Sequence, residues 1–131
     1  METEFGQVHE RRVAEASSIA PLRSVVVDFA REHGASAFEL EDIALAVSEA
    51  LTNVVLHAYV GRDGPGVVAV EAWMDASGLQ VVVCDEGIGM GSRRDSPGLG
   101  FGLPVIHRVA REVQVHDSHP GVRLHMTFAI A

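Results

Sequence analysis

The chain has 131 residues, 47% hydrophobic and 5% aromatic, which suits a single domain over residues 1–131 with a core of mostly Val, Leu, Ile and Ala. Its formal net charge of -8 argues against binding to a nucleic-acid phosphate backbone. All ten basic residues are Arg, and the absence of Lys excludes a standard P-loop and the protein-kinase signature, both of which require a Lys.

Nothing in the sequence indicates secretion or insertion into a membrane. Cys84 is the only cysteine, so no internal disulfide can form, which suits a reducing compartment. No apolar run approaches the ~20 residues that a membrane-spanning helix needs. The acidic segment 1–5 lacks the apolar core of a signal peptide. We therefore expect a cytoplasmic protein that binds neither a membrane nor nucleic acid directly.

Hydrophobic periodicity and turn residues predict the elements in chain order. Residues 5–13 give only a weak signal for an edge strand, because charged residues interrupt the alternation. Ser17 or Ser18 is expected to cap the first helix, and a capping box of Ser36 and Glu39 to begin the second. The pattern then predicts helices over about 18–33 and 37–59, strands over 67–74 and 79–85, a loop over 86–98, a third helix with Pro104 in its first turn and its end near Glu112, and strands over 113–117 and 122–130.

The order of these elements predicts the fold class. Consecutive strands with short connections favour antiparallel pairing, and three helices can cover one face of such a sheet. We expect an α+β fold, a two-layer α/β sandwich with a mostly antiparallel sheet covered on one face by three helices. The Val-rich strand 79–85 is expected to be central and buried, with Cys84 as a small buried hydrophobe and not a nucleophile.

A polar row runs along the second predicted helix. Glu49, Asn53 and His57 are four residues apart, and Glu49 lies nearly opposite the apolar stripe of this helix. A carboxylate and a carboxamide one turn apart suit Mg²⁺, which prefers oxygen ligands. A solvated polar face would produce the same row, so the helix alone leaves both interpretations open.

The first glycine-rich segment follows a predicted buried strand. Asp85 ends this strand and is followed by Gly87 and Gly89. A carboxylate at this position can accept a hydrogen bond from an amine such as the exocyclic amino group of adenine. The two glycines would let the backbone approach the ring closely. Asp and Gly are also common in turns, so an ordinary turn explains this segment equally well.

The second glycine-rich segment opens the third predicted helix. Gly98, Gly100 and Gly102 alternate there, and free N–H groups at a helix N-terminus bind phosphate. A Rossmann dinucleotide motif does not fit, because this segment follows a loop and the first glycine pair does not open a helix.

Taken in this order, the three motifs resemble the N, G1 and G2 boxes of the GHKL superfamily of gyrase, heat-shock chaperone, histidine kinase and mismatch-repair ATPases. Residues 49–59, Glu-Ala-Leu-Thr-Asn-Val-Val-Leu-His-Ala-Tyr, look most like those of the bacterial anti-sigma-factor serine/threonine kinases. The short loop before the third helix and the closing strand fit the same family. The resemblance covers the chain from about residue 6 to 130.

The resemblance implies a role for each motif. Asn53 would hold Mg²⁺ that bridges the phosphates of ATP, Asp85 would bind adenine, and Glu49 would be the catalytic base. The glycines would line the base pocket (Gly87, Gly89) or close on the phosphates (Gly98, Gly100, Gly102). The implied activity is phosphorylation of a small anti-anti-sigma (STAS-domain) protein, together with sequestration of a sigma factor, by a monomer or a homodimer.

Several residues and functions stay open on sequence alone. Arg23 is a candidate partner contact, and Arg93 and Arg94 lie in a predicted mobile lid, where they either reach the γ-phosphate or are solvated. A zinc site of His116, His119 and His125 is not expected, because their spacing is unsuitable and no thiolate is near. The alternatives to a kinase are a non-catalytic module that binds ATP or a sigma factor and a detached histidine-kinase catalytic domain. Glu49 favours an enzyme, because a pure binder needs no base.

Overall fold

The structure is a computed structural model that describes residues 2–4, 6–62, 64–88, 99–117 and 121–130. Within these residues six strands and three helices form the fold. They are, in chain order, β1 (Glu2–Glu4), β2 (Gln7–Val13), α1 (Ala16–Glu32), α2 (Ala37–Asn53), β3 (Val67–Asp75), β4 (Gly78–Asp85), α3 (Leu99–Val109), β5 (Glu112–Asp117) and β6 (Val122–Phe128). A π-helical turn, Val54–Ala58, continues α2.

The six strands form one sheet in the order β1-β2-β3-β4-β6-β5, and every neighbouring pair is antiparallel. The α+β fold class is confirmed, and β4 has the central position that its Val-rich sequence predicts. The weakly predicted first strand is a full member of the sheet, because β2 pairs with β3 over seven residues. Its signal is weak because Val8 is the one buried side chain among its seven.

The core lies between the helices and one face of the sheet. Alternate residues of β3, β4 and β6 face the helices and are buried. Helix α2 is the middle helix and packs against both α1 and α3. The helix-facing apolar residues of these strands are Val68, Val70, Ala72, Leu79, Val81, Val83, Leu124, Met126 and Phe128.

The predicted capping box at the start of α2 is confirmed. The backbone N–H of Glu39 donates to Ser36 Oγ at 3.2 Å, and the N–H of Ser36 donates to Glu39 Oε1 at 2.8 Å. The expected serine cap of α1 is wrong. Glu15 is the N-cap of that helix and makes no side-chain capping bond, while Ser18 is buried in the first turn.

Several predicted boundaries differ from the structure. The second helix is α-helical only to Asn53, and a π-helical turn replaces its last residues. The third helix begins at Leu99, so Pro104 lies in its second turn, and it ends at Val109 because Glu112 already pairs in β5. The last strand ends at Phe128.

The sheet face away from the helices is mostly polar. Gln80 Oε1 accepts hydrogen bonds from Thr127 Oγ1 at 2.8 Å and from His125 Nε2 at 2.7 Å. Cys84 lies on this face and is half-buried, so its predicted full burial is wrong. Burial still raises the pKa of the Cys84 thiol, which keeps it a poor nucleophile as expected.

No helix in the described ranges is long and apolar enough to cross a membrane.

The packing of α2 gives a matched pair of stability variants. Leu51 is fully buried, whereas Leu45 on the same helix is 45% exposed. Leu51→Ala is expected to lower the free energy of unfolding by about 2–5 kcal/mol, because a large buried side chain is removed. Leu45→Ala should change it by about 0.5 kcal/mol or less. Urea denaturation measures both values, and equal losses would contradict the described burial of this helix.

Candidate functional site

Two of the predicted site residues lie on α2. Glu49 and Asn53 are one helical turn apart, and both are half-buried. The opposite side of the helix is fully packed in the core through Ile43, Val47 and Leu51. Because that side is held rigidly, the backbone positions of Glu49 and Asn53 are fixed by the core of the protein.

A π-helical turn follows immediately after Asn53. Such turns put more residues into one turn than an α-helix does and often occur at functional sites. His57 lies in this turn and is only 4% exposed. The π turn therefore removes His57 from the accessible row of Glu49 and Asn53, and the predicted three-residue row is reduced to two.

Asp85 occupies the end of the central strand on the helix side of the sheet. It continues the helix-facing alternation of Leu79, Val81 and Val83, and it is 8% exposed. The backbone N–H of Gly87 donates to Asp85 Oδ1 at 2.9 Å, which orients the carboxylate. A nearly buried carboxylate at a strand end can select a ligand that offers a hydrogen-bond donor.

Three successive backbone N–H groups hold the segment after Asp85. The N–H of Glu86 donates to the Tyr59 hydroxyl at 2.9 Å, that of Gly87 to Asp85, and that of Ile88 to the Ala58 carbonyl at 2.7 Å. Two of these acceptors belong to the residues at the end of the π turn. The segment that carries Asp85 is thus joined directly to the helix that carries Asn53.

Glycines make the close approach at this junction possible. A Cβ atom on Gly87 would lie 2.0 Å from the Ala58 carbonyl oxygen. One on Gly121, whose φ is +97°, would lie 2.0 Å from the carbonyl oxygen of Asp85. Side chains at these positions would push apart the strand end, the helix end and the start of β6.

The structure brings together some of the predicted residues and leaves others outside its description. Asp85 and Gly87 meet the end of the helix that carries Glu49 and Asn53. Gly100 and Gly102 lie in the first turn of α3, which packs against α2. The other loop residues with a predicted role fall outside the described residues: Gly89, Arg93, Arg94 and Gly98.

Sequence reasoning missed Tyr59, Gly66 and Gly121 as parts of this site. The Tyr59 hydroxyl also contacts Val67, donating to its carbonyl oxygen and accepting from its N–H at 3.2 Å. A Cβ on Gly66 would lie 2.0 Å from the Tyr59 ring. The available signal was the Gly-Pro-Gly turn over 64–66, which indicates a turn but not its contact with Tyr59.

Arginines near the site are already engaged with other side chains. Arg23 Nη1 donates to Ser48 Oγ at 3.1 Å, beside Glu49. Arg11 lies 3.6 Å from the Glu86 carboxylate, and both side chains are largely exposed, so this pair adds little stability. Across the described part of the chain, no three His, Cys, Asp or Glu side chains come together as a metal site.

The arrangement suits a nucleotide with its cation. The Asp85 carboxylate, at the end of β4, can accept a hydrogen bond from a nucleotide base. Because residue 87 is a glycine, no side chain separates the Asp85 segment from the helix end. On α2, the Asn53 amide and the Glu49 carboxylate lie one helical turn apart. Mg²⁺ prefers oxygen ligands, keeps several waters and binds nucleotide phosphates, so it needs few protein ligands, and the amide oxygen of Asn53 can be one of them.

The chain matches a family model described as the histidine kinase-like ATPase domain over residues 13–128. It is 34% identical over 105 residues to the serine-protein kinase RsbW of Bacillus pumilus, a match that covers 68% of this chain and 64% of that protein. It is 31% identical over 116 residues to the anti-sigma F factor of Clostridium acetobutylicum, with 80% of each chain covered. The chain thus spans slightly less than two thirds of the first of these relatives.

Two solved structures have the same fold. The RsbU and RsbW domains of a Mycobacterium tuberculosis protein superpose with a TM-score of 0.76 at 21% identity, covering 96% of this chain and 33% of that chain. The histidine kinase domain of a blue-light activated histidine kinase from Erythrobacter litoralis superposes with a TM-score of 0.62 at 21% identity, covering 87% of this chain and 60% of that one.

The contact at Gly87 leads to a local prediction. Gly87→Ala should break the hydrogen bond from Ile88 to Ala58 and lower the free energy of unfolding by about 1–3 kcal/mol, because the added methyl group overlaps a backbone oxygen. Hydrogen exchange of the Ile88 amide should accelerate. In the control, Gly34→Ala, the methyl group meets open space at a φ of +92°. That variant should lose about 1–2 kcal/mol and leave the Ile88 amide protected. An unchanged Ile88 amide in Gly87→Ala would refute the close contact.

Proposed function

Because the chain belongs to the histidine kinase-like ATPase domain family, we propose that it binds ATP with Mg²⁺ and transfers the γ-phosphate to a serine or threonine of a small anti-anti-sigma, STAS-domain protein. We further propose that it sequesters a sigma factor when that antagonist is phosphorylated. The names of its relatives, a serine-protein kinase and an anti-sigma F factor, support the two activities. The observation that carries the proposal is the junction of the Asp85 segment with the helix of Glu49 and Asn53.

Asp85 is the residue proposed to bind adenine. Its carboxylate faces the helix layer, is nearly buried, and is oriented by the N–H of Gly87. A carboxylate accepts from the exocyclic amino group of adenine and repels the carbonyl oxygen that guanine has at the same ring position. Gly87 lines the base pocket, and Gly89 is assigned the same role from the sequence motif.

Asn53 is the residue proposed to hold the metal. Its side-chain oxygen would bind Mg²⁺ together with phosphate oxygens and waters. Asn53 would thereby place a positive charge where phosphate charge develops during transfer. The first turn of α3 contains Gly100 and Gly102, and the free N–H groups at a helix N-terminus suit phosphate binding. Gly98 is assigned to the same contact from the sequence motif.

Glu49 is the proposed catalytic base. One turn from the metal-binding Asn53, its carboxylate takes the proton of the acceptor hydroxyl as the hydroxyl oxygen attacks the γ-phosphorus. The bond from phosphorus to the bridging oxygen of ADP breaks, and ADP leaves. Because Glu49 is half-buried, it is screened less by water than the exposed acids of the same helix.

The direct test is incubation of the purified protein with labelled ATP, Mg²⁺ and each STAS-domain protein of the source organism. The proposal expects label on one serine or threonine of one such protein. Label on none of them, with ATP bound normally, would favour a non-catalytic binding module.

The assignment of Asp85 predicts a change in base selectivity. Asp85→Asn keeps an oxygen for the N–H of Gly87 but places an amide donor against the amino group of adenine. ATP affinity should fall by about 1.5–3 kcal/mol, the range for hydrogen bonds to charged groups, and the ratio of ATP to GTP affinity should fall with it. Calorimetry measures both nucleotides. Glu86→Gln, at the exposed neighbouring residue, is the control and should keep the ratio. An unchanged ratio in Asp85→Asn would show that another group reads the base.

Glu49 and Asn53 are expected to respond differently to substitution. Glu49→Gln should reduce phosphotransfer by ~10²–10⁴-fold, the usual contribution of a general base, while ATP affinity stays within a small factor. Asn53→Ala should lose both ATP affinity and transfer, because the metal ligand is gone. Glu41→Gln changes an exposed acid on the same helix and should alter neither. Phosphotransfer at the wild-type rate by Glu49→Gln would show that Glu49 is not the catalytic base.

A further inference from the structure

Tyr59 connects three parts of the fold through one hydroxyl group. The hydroxyl accepts hydrogen bonds from the N–H of Glu86 at 2.9 Å and the N–H of Val67 at 3.2 Å, and it donates to the carbonyl oxygen of Val67. A phenol has one donor and two acceptor sites, so these three bonds use its full capacity. The group therefore ties the end of the π-helical turn Val54–Ala58, which we call the α2 extension, to the first residue of β3 and to the segment after β4.

The Tyr59 ring is held in place on two sides. Gly66 contacts it so closely that an added Cβ would overlap the ring at 2.0 Å. The guanidinium carbon of Arg62 lies 5.5 Å from the ring centroid, within range of a cation–π interaction. With the ring fixed, the hydroxyl has a fixed position from which it holds the backbone of Glu86.

Glu86 lies between the two residues assigned to the adenine pocket. Asp85 precedes it and Gly87 follows it, so a backbone rotation at Glu86 would move both. The neighbouring bond from Ile88 to Ala58 holds the far end of the same segment. The Tyr59 hydroxyl and the Ala58 carbonyl are thus two separate points at which the helix end holds this segment.

We propose that Tyr59 is a positioning residue for nucleotide binding: its hydroxyl holds Glu86 so that Asp85 and Gly87 are arranged for adenine before the nucleotide arrives. The inference rests on the proposed ATP-binding function. A protein whose binding-competent conformation is only partly populated loses apparent affinity in proportion to that population. The Tyr59 hydroxyl thus contributes to affinity without touching the phosphates.

The test compares Tyr59→Phe with Thr127→Val. Thr127 is buried on the other face of the sheet, and its hydroxyl also makes a hydrogen bond, to Gln80 at 2.8 Å. Both variants should lose thermal stability. Only Tyr59→Phe should weaken ATP binding, by about two- to tenfold, the factor that corresponds to one neutral hydrogen bond. Adenosine should lose affinity by the same factor as ATP, because the defect lies at the base end of the site.

A second variant moves the same ring without changing the tyrosine. Gly66→Ala forces the ring away, so it should reproduce the equal losses for ATP and adenosine. Wild-type affinity for both ligands in Tyr59→Phe, with a stability loss like that of Thr127→Val, would reduce Tyr59 to a structural residue and overturn the inference. Failure of the wild-type protein to bind ATP would overturn the proposed function and this inference together, and the two failures are therefore distinguishable.

Discussion

Two hydrogen bonds, from the N–H groups of Glu86 and Ile88 to the Tyr59 hydroxyl and the Ala58 carbonyl, hold the end of the central strand against the end of the α2 extension. This junction determines the geometry of the site, because the proposed base-binding carboxylate lies on the sheet and the proposed metal ligand lies on a helix. Apolar packing also joins the sheet and the helices, but it does not orient a polar side chain. These hydrogen bonds fix the end of β4 relative to the end of the α2 extension, so the proposed ligand-binding residues keep a defined arrangement.

The junction constrains the residues around it. Backbones can approach this closely only where Cβ atoms are missing, which accounts for Gly87 against Ala58 and for Gly121 against Asp85. The π-helical turn brings the carbonyl group of Ala58 and the ring of Tyr59 to the strand end, and it buries His57 in the process. Substitution at any of these positions should therefore act mainly by shifting the helix end relative to the end of β4.

Features encoded by neighbouring residues could be predicted from the sequence. The capping box of Ser36 and Glu39 depends on residues three apart, and the central place of β4 follows from its run of apolar residues. The order of the Glu-Asn helix, the Asp-Gly segment and the glycine-opened helix was enough to indicate the family. The assigned roles of Glu49, Asn53 and Asp85 remain predictions that the binding and transfer assays address.

Features that join distant residues could not be predicted in this way. The Tyr59 hydroxyl accepts hydrogen bonds from the N–H groups of Val67 and Glu86, and no local sequence pattern indicates these contacts. The α1 cap was misassigned because two serines carried a stronger local preference than Glu15, which caps without a side-chain bond. The π turn was missed because its residues continue the apolar periodicity of an ordinary helix.

The central claim is that Asp85 and Asn53 bind opposite ends of one nucleotide. A crystal structure of the protein with Mg²⁺ and a non-hydrolysable ATP analogue measures this directly. The account predicts the exocyclic amino group of adenine within hydrogen-bond distance of the Asp85 carboxylate, and the metal ion bound to the Asn53 side-chain oxygen. A nucleotide bound elsewhere on the protein, or an adenine amino group held by a different residue, would contradict it.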